Sequence, residues 1–77
     1  MVLTVTVDRE ADGRWIGAVD DLPGVLAYGA TREQAIGAAI GLALTVIADE
    51  VAHGERQIPG WDPAKATTFS VNVRSAA

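Results

Sequence analysis

The chain has 77 residues and no cysteine, so a single domain is expected, with no disulfide framework and no thiolate metal site. Apolar residues make up 49% of it, which predicts a packed core rather than a disordered chain. The formal net charge is −4 at neutral pH. Direct binding to nucleic acid is therefore not expected, because it normally needs a basic stripe, whereas a basic protein partner is favoured.

Two strands joined by a hairpin are predicted at the start of the chain. Residues 3–7 alternate apolar and polar side chains with a period of two, which is typical of a half-buried strand. Asp12 and Gly13 then form a hairpin signal, because glycine accepts positive φ without a steric cost. A second strand is predicted over residues 14–19, where Trp15 suits the core and a partner contact equally.

A tight turn, a third strand and a helix follow. Pro23 and Gly24 are typical of a type II turn, and residues 25–28 predict a short strand that Gly29 closes. Thr31 can accept a hydrogen bond from the first-turn amides, and Gln34 can reach back to it, which is a capping box. The helix is predicted from about Arg32 to about His53, with Gly54 as its stop.

The last part of the chain predicts a loop and one more strand. Residues 55–66 contain two Pro-Gly or Asp-Pro pairs and are interpreted as a long loop. Residues 67–74 alternate again, so they are predicted as a fourth strand, and residues 75–77 are expected to fray.

One stripe of the predicted helix is expected to face the core. At 100° per residue it comprises Ile36, Ile40, Ala43, Ile47 and Val51. Leu44 flanks this stripe on one side, and on the other side lie Ala39, Val46 and Leu42.

The remaining residues of the middle turns are small, and no charged residue lies between Glu33 and Asp49. Either the side of the helix that carries these small residues is exposed to solvent, or a second surface covers it. The second interpretation is favoured because each interior glycine costs about 1 kcal/mol relative to alanine. Self-association, at least to a dimer, is therefore predicted through four residues, namely Gly37, Gly41, Thr45 and Ala48.

Three short motifs, in this order and spacing, resemble the HicB family of antitoxins. They are an Asp-Leu-Pro-Gly turn at 21–24, a Thr-Arg-Glu-Gln-Ala helix start at 31–35 and a Gly-Glu-Arg-Gln-Ile-Pro segment at 54–59. The resemblance runs from about Leu3 to about Val73. It implies an α+β fold of order β-β-β-α-β over residues 1–77, similar to a truncated ribonuclease H, with an antiparallel meander and one helix packed on the sheet.

The resemblance also implies a function. HicB proteins bind and inhibit HicA, a small basic toxin that cleaves mRNA. Many members add a C-terminal DNA-binding segment, and the chain has no room for one after its last predicted strand, so promoter binding by this chain alone is not expected. The alternative is an orphan oligomeric scaffold or ligand-binding module without a toxin.

Five residues are the candidate contacts for the toxin. The turn after the second strand either offers an acidic rim for a basic partner or only needs its Pro and Gly to reverse the chain. Aromatic side chains are favoured as interface anchors, and a tryptophan in the long loop either caps the core or meets a partner. The hypothesis names Asp20, Asp21, Leu22, Tyr28 and Trp61.

Catalysis, metal binding and cofactor binding are not expected. Asp8 and Asp20 are more simply turn residues, and Glu33 and Asp49 lie roughly 24 Å apart along the helix, too far to share one ion. His53 is the only histidine, in the last helical turn, where the helix dipole favours its cationic form.

A cytoplasmic location is expected. The N-terminus lacks a signal-peptide pattern, and the longest uncharged run, residues 34–48, is judged too short to span a bilayer.

Overall fold

The computed structural model describes residues 2–53 and 70–76. It is a small α+β domain with a four-stranded mixed sheet and one helix packed on it, and the predicted element order is confirmed. The elements are β1 (Val2–Arg9), β2 (Trp15–Val19), β3 (Leu26–Gly29), α1 (Arg32–His53) and β4 (Ser70–Ser75).

The sheet has the strand order β3-β2-β1-β4. Strands β1, β2 and β3 pair antiparallel, whereas β4 runs parallel to β1, with Val73 opposite Val5. This arrangement follows from the connections, because short turns can join only antiparallel neighbours and a parallel neighbour needs a longer crossover.

Both predicted turns contain a glycine with positive φ. Gly13 has a φ of 93° and donates its N–H to the Glu10 carbonyl at 3.0 Å. Gly24 has a φ of 84°, and the N–H of Val25 donates to the Leu22 carbonyl at 3.0 Å, as a type II turn requires.

The start of the helix has its predicted cap, with one difference. The N–H of Gln34 donates to Thr31 Oγ1 at 3.1 Å, but the Gln34 side chain accepts from the N–H of Ala30, also at 3.1 Å, rather than from that of Thr31. Gln34 therefore satisfies the amide one residue earlier than expected.

Some predicted boundaries were wrong. Strand β1 is longer at both ends than residues 3–7, and Gly29 lies inside β3 rather than after it. Ser75 was expected to fray but belongs to β4, and the N–H of Ala76 still donates to the Val7 carbonyl at 2.9 Å. The predicted loop at 55–66, the helix stop at Gly54 and the first residues of the predicted fourth strand lie outside the described residues.

The face of α1 that packs on the sheet differs from the predicted stripe. Its buried residues are Ala35, Ala39, Ala43 and Ile47. Ala43 and Ile47 of the predicted stripe and the flanking Ala39 are buried as expected, whereas Ile36 and Ile40 are only half-buried. Val51 of the stripe and the flanking Leu42 and Leu44 are exposed. At Ala35 and Ala39 the helix comes very close to the sheet, and a larger side chain would hold the two backbones apart there, whereas Ile47, about two turns further along, fits into the core.

Two glycines of the sheet permit this close approach. A Cβ added at Gly17 would lie 2.9 Å from the Ala35 carbonyl oxygen and 3.1 Å from the Ala39 Cβ. A Cβ added at Gly29 would collide with the backbone nitrogen of Ala35. Below the helix, the core continues with side chains from the sheet and the turn after β2, namely Leu3, Val5, Val19, Leu22 and Val25.

Candidate interaction surfaces

The acidic turn after β2 is bound to the chain's own first strand. The carboxylate of Asp21 accepts the N–H of Thr4 at 2.7 Å, and the N–H of Asp20 donates to the Thr4 carbonyl at 2.9 Å. Asp21 thus replaces a backbone acceptor at the end of the β1–β2 ladder. Asp20 and Asp21, both predicted as partner contacts, therefore also attach this turn to β1 through hydrogen bonds with the Thr4 backbone.

Asp20 also joins a polar cluster on the sheet face opposite the helix. Thr6 donates its hydroxyl to the Asp20 carboxylate at 2.8 Å, and Arg74 donates to Asp20 Oδ2 and to Thr6 Oγ1, both at 3.2 Å. The cluster therefore ties β4 to β1 and to the end of β2. Because these side chains are largely exposed, the Arg74–Asp20 ion pair contributes little by itself.

Leu22 is not a surface residue, which corrects its assignment as a partner contact. Its exposed fraction is 1%, and it packs in the core with Val19 and Val25. The turn folds this side chain inward, since its N–H donates to the Val19 carbonyl at 3.1 Å. A partner could meet Asp20 and Asp21 beside it, but not Leu22 itself.

Tyr28 lies on an apolar strip of the outer sheet face. It is 45% exposed, and it stands beside Leu26, 44% exposed, and opposite Ile16 in the β2–β3 ladder. The Arg14 guanidinium lies over the Tyr28 ring at 4.4 Å from its centroid, a cation–π arrangement. Tyr28 is thus an exposed aromatic side chain, in contact with Arg14, of the kind that anchors protein interfaces.

Arg14 is itself held by the hairpin. Its Nε donates to Asp12 Oδ2 at 2.8 Å, and its backbone N–H donates to Asp12 Oδ1 at 3.0 Å. The hydrogen bonds from the Arg14 backbone and side chain hold the pKa of Asp12 below its usual value. Sequence reasoning missed Arg14 as a member of this surface, because its contact with Tyr28 depends on the β2–β3 register.

Of the two tryptophans, only Trp15 lies within the described residues. Trp15 is half-buried at the start of β2, and the Arg9 guanidinium lies 5.7 Å from its ring centroid. Trp61, the remaining candidate for toxin contact, lies outside the described residues.

The four helix residues predicted for self-association are all exposed. Gly37 and Gly41 have open space where a side chain would be, and the hydroxyl of Thr45 donates to the Gly41 carbonyl at 2.9 Å. Together with Leu42 and Leu44 they form an uncharged outer face, which we call the helix face. A solvated helix usually carries charges there, so this surface is unusually apolar.

By length and composition, α1 is able to cross a membrane, which the short uncharged run did not predict. Its 22 residues span about 33 Å, and 22% of its most apolar stretch is buried. A helix that packs on the core of a soluble protein meets the same criteria, and Ala35, Ala39, Ala43 and Ile47 of α1 do pack on the sheet.

His53, the last residue of α1, contacts Asp49 one turn earlier in the same helix. Its Nδ1 lies 2.8 Å from the Asp49 carbonyl oxygen and 3.3 Å from the Asp49 carboxylate. Within residues 2–53 and 70–76, the acids and the histidine nowhere gather in a group of three or more that could hold a metal ion.

Comparison with protein-family models, with curated proteins and with solved structures finds no match to this chain.

Proposed function

We propose that this chain is an antitoxin of the HicB type, which binds and blocks a small basic toxin that cleaves mRNA. The observation that carries the proposal is the order and spacing of two of the three motifs that resemble the HicB family, at 21–24 and 31–35. The Asp-Leu-Pro-Gly motif forms the turn between β2 and β3, and the Thr-Arg-Glu-Gln-Ala motif caps α1. A HicB-like, truncated ribonuclease H arrangement is the finer fold that we propose for this sheet and helix.

Charge supports a basic partner. The chain has ten acidic and six basic residues, and opposite charge accelerates the encounter of two proteins. On the outer sheet face, Tyr28 supplies an exposed aromatic anchor, and Asp20 and Asp21 supply acidic groups at the neighbouring turn. We therefore place the toxin on this face, without Leu22, and we propose a cytoplasmic location for both proteins.

Co-expression tests the function. We expect the chain to restore growth to cells that express a short basic protein encoded beside its gene, and to co-purify with that protein. Tyr28→Ala should weaken the complex roughly tenfold, because truncating a central aromatic anchor typically costs more than 1 kcal/mol. Binding is to be measured by calorimetry on the purified pair.

Val2→Ala is the matched control, since Val2 is also exposed on the outer face but lies two strands away from β3. It should leave the affinity unchanged. If toxicity persists and no complex co-purifies, the antitoxin proposal fails. The second candidate, an oligomeric scaffold without a toxin, is then favoured by the apolar helix face.

We also propose that the helix face mediates self-association. Gly41→Glu should reduce the mass measured by sedimentation without unfolding the chain, because a Cβ added there comes within 4 Å of no heavy atom of the described residues outside the adjacent helix backbone. Burying a carboxylate between two copies is costly unless it is paired.

Ala11→Glu adds the same charge in the exposed β1–β2 loop and should leave the mass unchanged. If the Gly41→Glu variant keeps the mass of the unmodified chain, the helix face is not the self-association interface.

A further inference from the structure

We infer that the outer edge of β4, with which no strand of the described residues pairs, pairs with the β4 of a second copy, in antiparallel register centred on Val73. This contact is separate from the helix face and from the proposed toxin surface, and it stands whether or not a toxin exists.

The direction of the backbone groups of β4 follows from one hydrogen bond. Ala76 donates its N–H to the Val7 carbonyl of β1 at 2.9 Å. Backbone groups alternate in direction along a strand, so those of Ala76, Arg74 and Asn72 face β1. Those of Val71, Val73 and Ser75 face away from the sheet, and within the described part of the chain no strand pairs with them.

This edge lacks the usual protection against pairing. Natural edge strands carry proline, lysine or a bulge, or are very short. Residues 70–75 contain no proline and no lysine, and they pair with β1 in unbroken register. The single charged side chain, Arg74, is held over its own sheet by Thr6 and Asp20 and does not guard the edge.

The opposite edge is less suited to pairing. Strand β3 has only four residues, and by the same alternation it presents outward the backbone groups of Leu26 and Tyr28 alone. β4 therefore offers the longer row of free donors and acceptors.

The side chains of β4 suit a second copy of the same strand. A twofold axis at Val73 places Val73 opposite Val73, Val71 opposite Ser75 and Asn72 opposite Arg74. Val73 lies on the helix side of the sheet, opposite the buried Val5, yet it is 41% exposed. α1 packs on β1, β2 and β3, so the partner's Val73 would cover a side chain that α1 leaves open.

Charge does not oppose this pairing. No acidic residue lies in 70–75, and each Arg74 keeps its own Asp20 as a partner while it faces a neutral Asn72. An acidic chain would repel itself through most other surfaces, and this edge is an exception.

Single cysteine substitutions test the register, since the chain has no native thiol. Across the proposed axis the two Val73 Cα atoms would be about 5.5 Å apart, within the range a disulfide spans. Two Val71 residues would be offset by roughly 13 Å along the strands, beyond that range. Under mild oxidation, Val73→Cys should give at least about ten times the disulfide dimer that Val71→Cys gives.

A second variant tests the contact without a disulfide. Val73→Lys places a lysine at the axis, where it faces the partner's lysine. The mass measured by sedimentation should therefore fall to that of the assembly without this contact, while the circular dichroism spectrum keeps its shape. Ala11→Lys, in the exposed β1–β2 loop and away from β4, is the matched control for the added charge. Equal cross-linking at positions 71 and 73, or a Val73→Lys chain of unchanged mass, would overturn the inference.

Discussion

Gly29→Ala is expected to lower the free energy of unfolding by about 3 kcal/mol, because the added methyl group meets backbone and not a movable side chain. Its Cβ would collide with the backbone nitrogen of Ala35 and lie 2.8 Å from the carbonyl carbon of Gln34. The first turn of α1 would have to move away from β3, and its contact with the sheet would loosen.

The size of this effect matters for so small a domain. Chains of this length are typically stable by only about 4–12 kcal/mol. A loss of 3 kcal/mol should therefore lower the melting temperature by roughly 10–20 °C, which thermal denaturation followed by circular dichroism can measure.

Gly37→Ala is the matched control, since it adds the same methyl group to the same helix. The space in front of Gly37 is open, and alanine is the better helix former by about 1 kcal/mol. Two glycine-to-alanine substitutions should thus shift stability in opposite directions. If Gly29→Ala melts at the temperature of the unmodified chain, the close approach of α1 to β3 is wrong.

The second large effect is expected for Leu22→Ala, which should cost about 2–5 kcal/mol of unfolding free energy. Leu22 is among the largest fully buried side chains of the described residues, and it packs against Val19 and Val25. Its removal leaves a cavity that the tight turn cannot close, because the N–H of Val19 is bound to the Val25 carbonyl at 2.9 Å.

Leu26→Ala provides the comparison for Leu22→Ala. Leu26 is 44% exposed on the outer sheet face, so its truncation should change stability by no more than about 0.5 kcal/mol. Urea denaturation of both variants measures the two changes in the free energy of unfolding and shows whether they differ. Equal stability losses would contradict the inward orientation of Leu22 and would return it to the candidate partner contacts.

Features that depend only on residues close together in the sequence were predictable. The positive φ of Gly13 and Gly24 and the cap at Thr31 follow from the few conformations that short segments allow. The order of strands and helix follows from the change of hydrophobic period along the chain.

The candidate surfaces were predicted less completely. Tyr28 and the small helix residues are exposed as the hypotheses require, whereas Leu22 is buried. A turn motif indicates where the chain reverses, but it does not indicate which side chain of the turn points inward. The contact of Arg14 with Tyr28 could not be predicted either, because it joins the residue before β2 to a residue of β3.

The sequence by itself determined the acidic charge of this protein, which is a matter of composition, together with its local elements and the uncharged middle of its helix, which depend on residues close together in the chain. Only the tertiary structure decided that the first half of α1 faces the sheet through alanines, because its close approach there depends on Gly17 in β2 and Gly29 in β3. It also decided that β4 runs parallel to β1 at an edge, because strand pairing depends on long-range contacts that local periodicity does not encode.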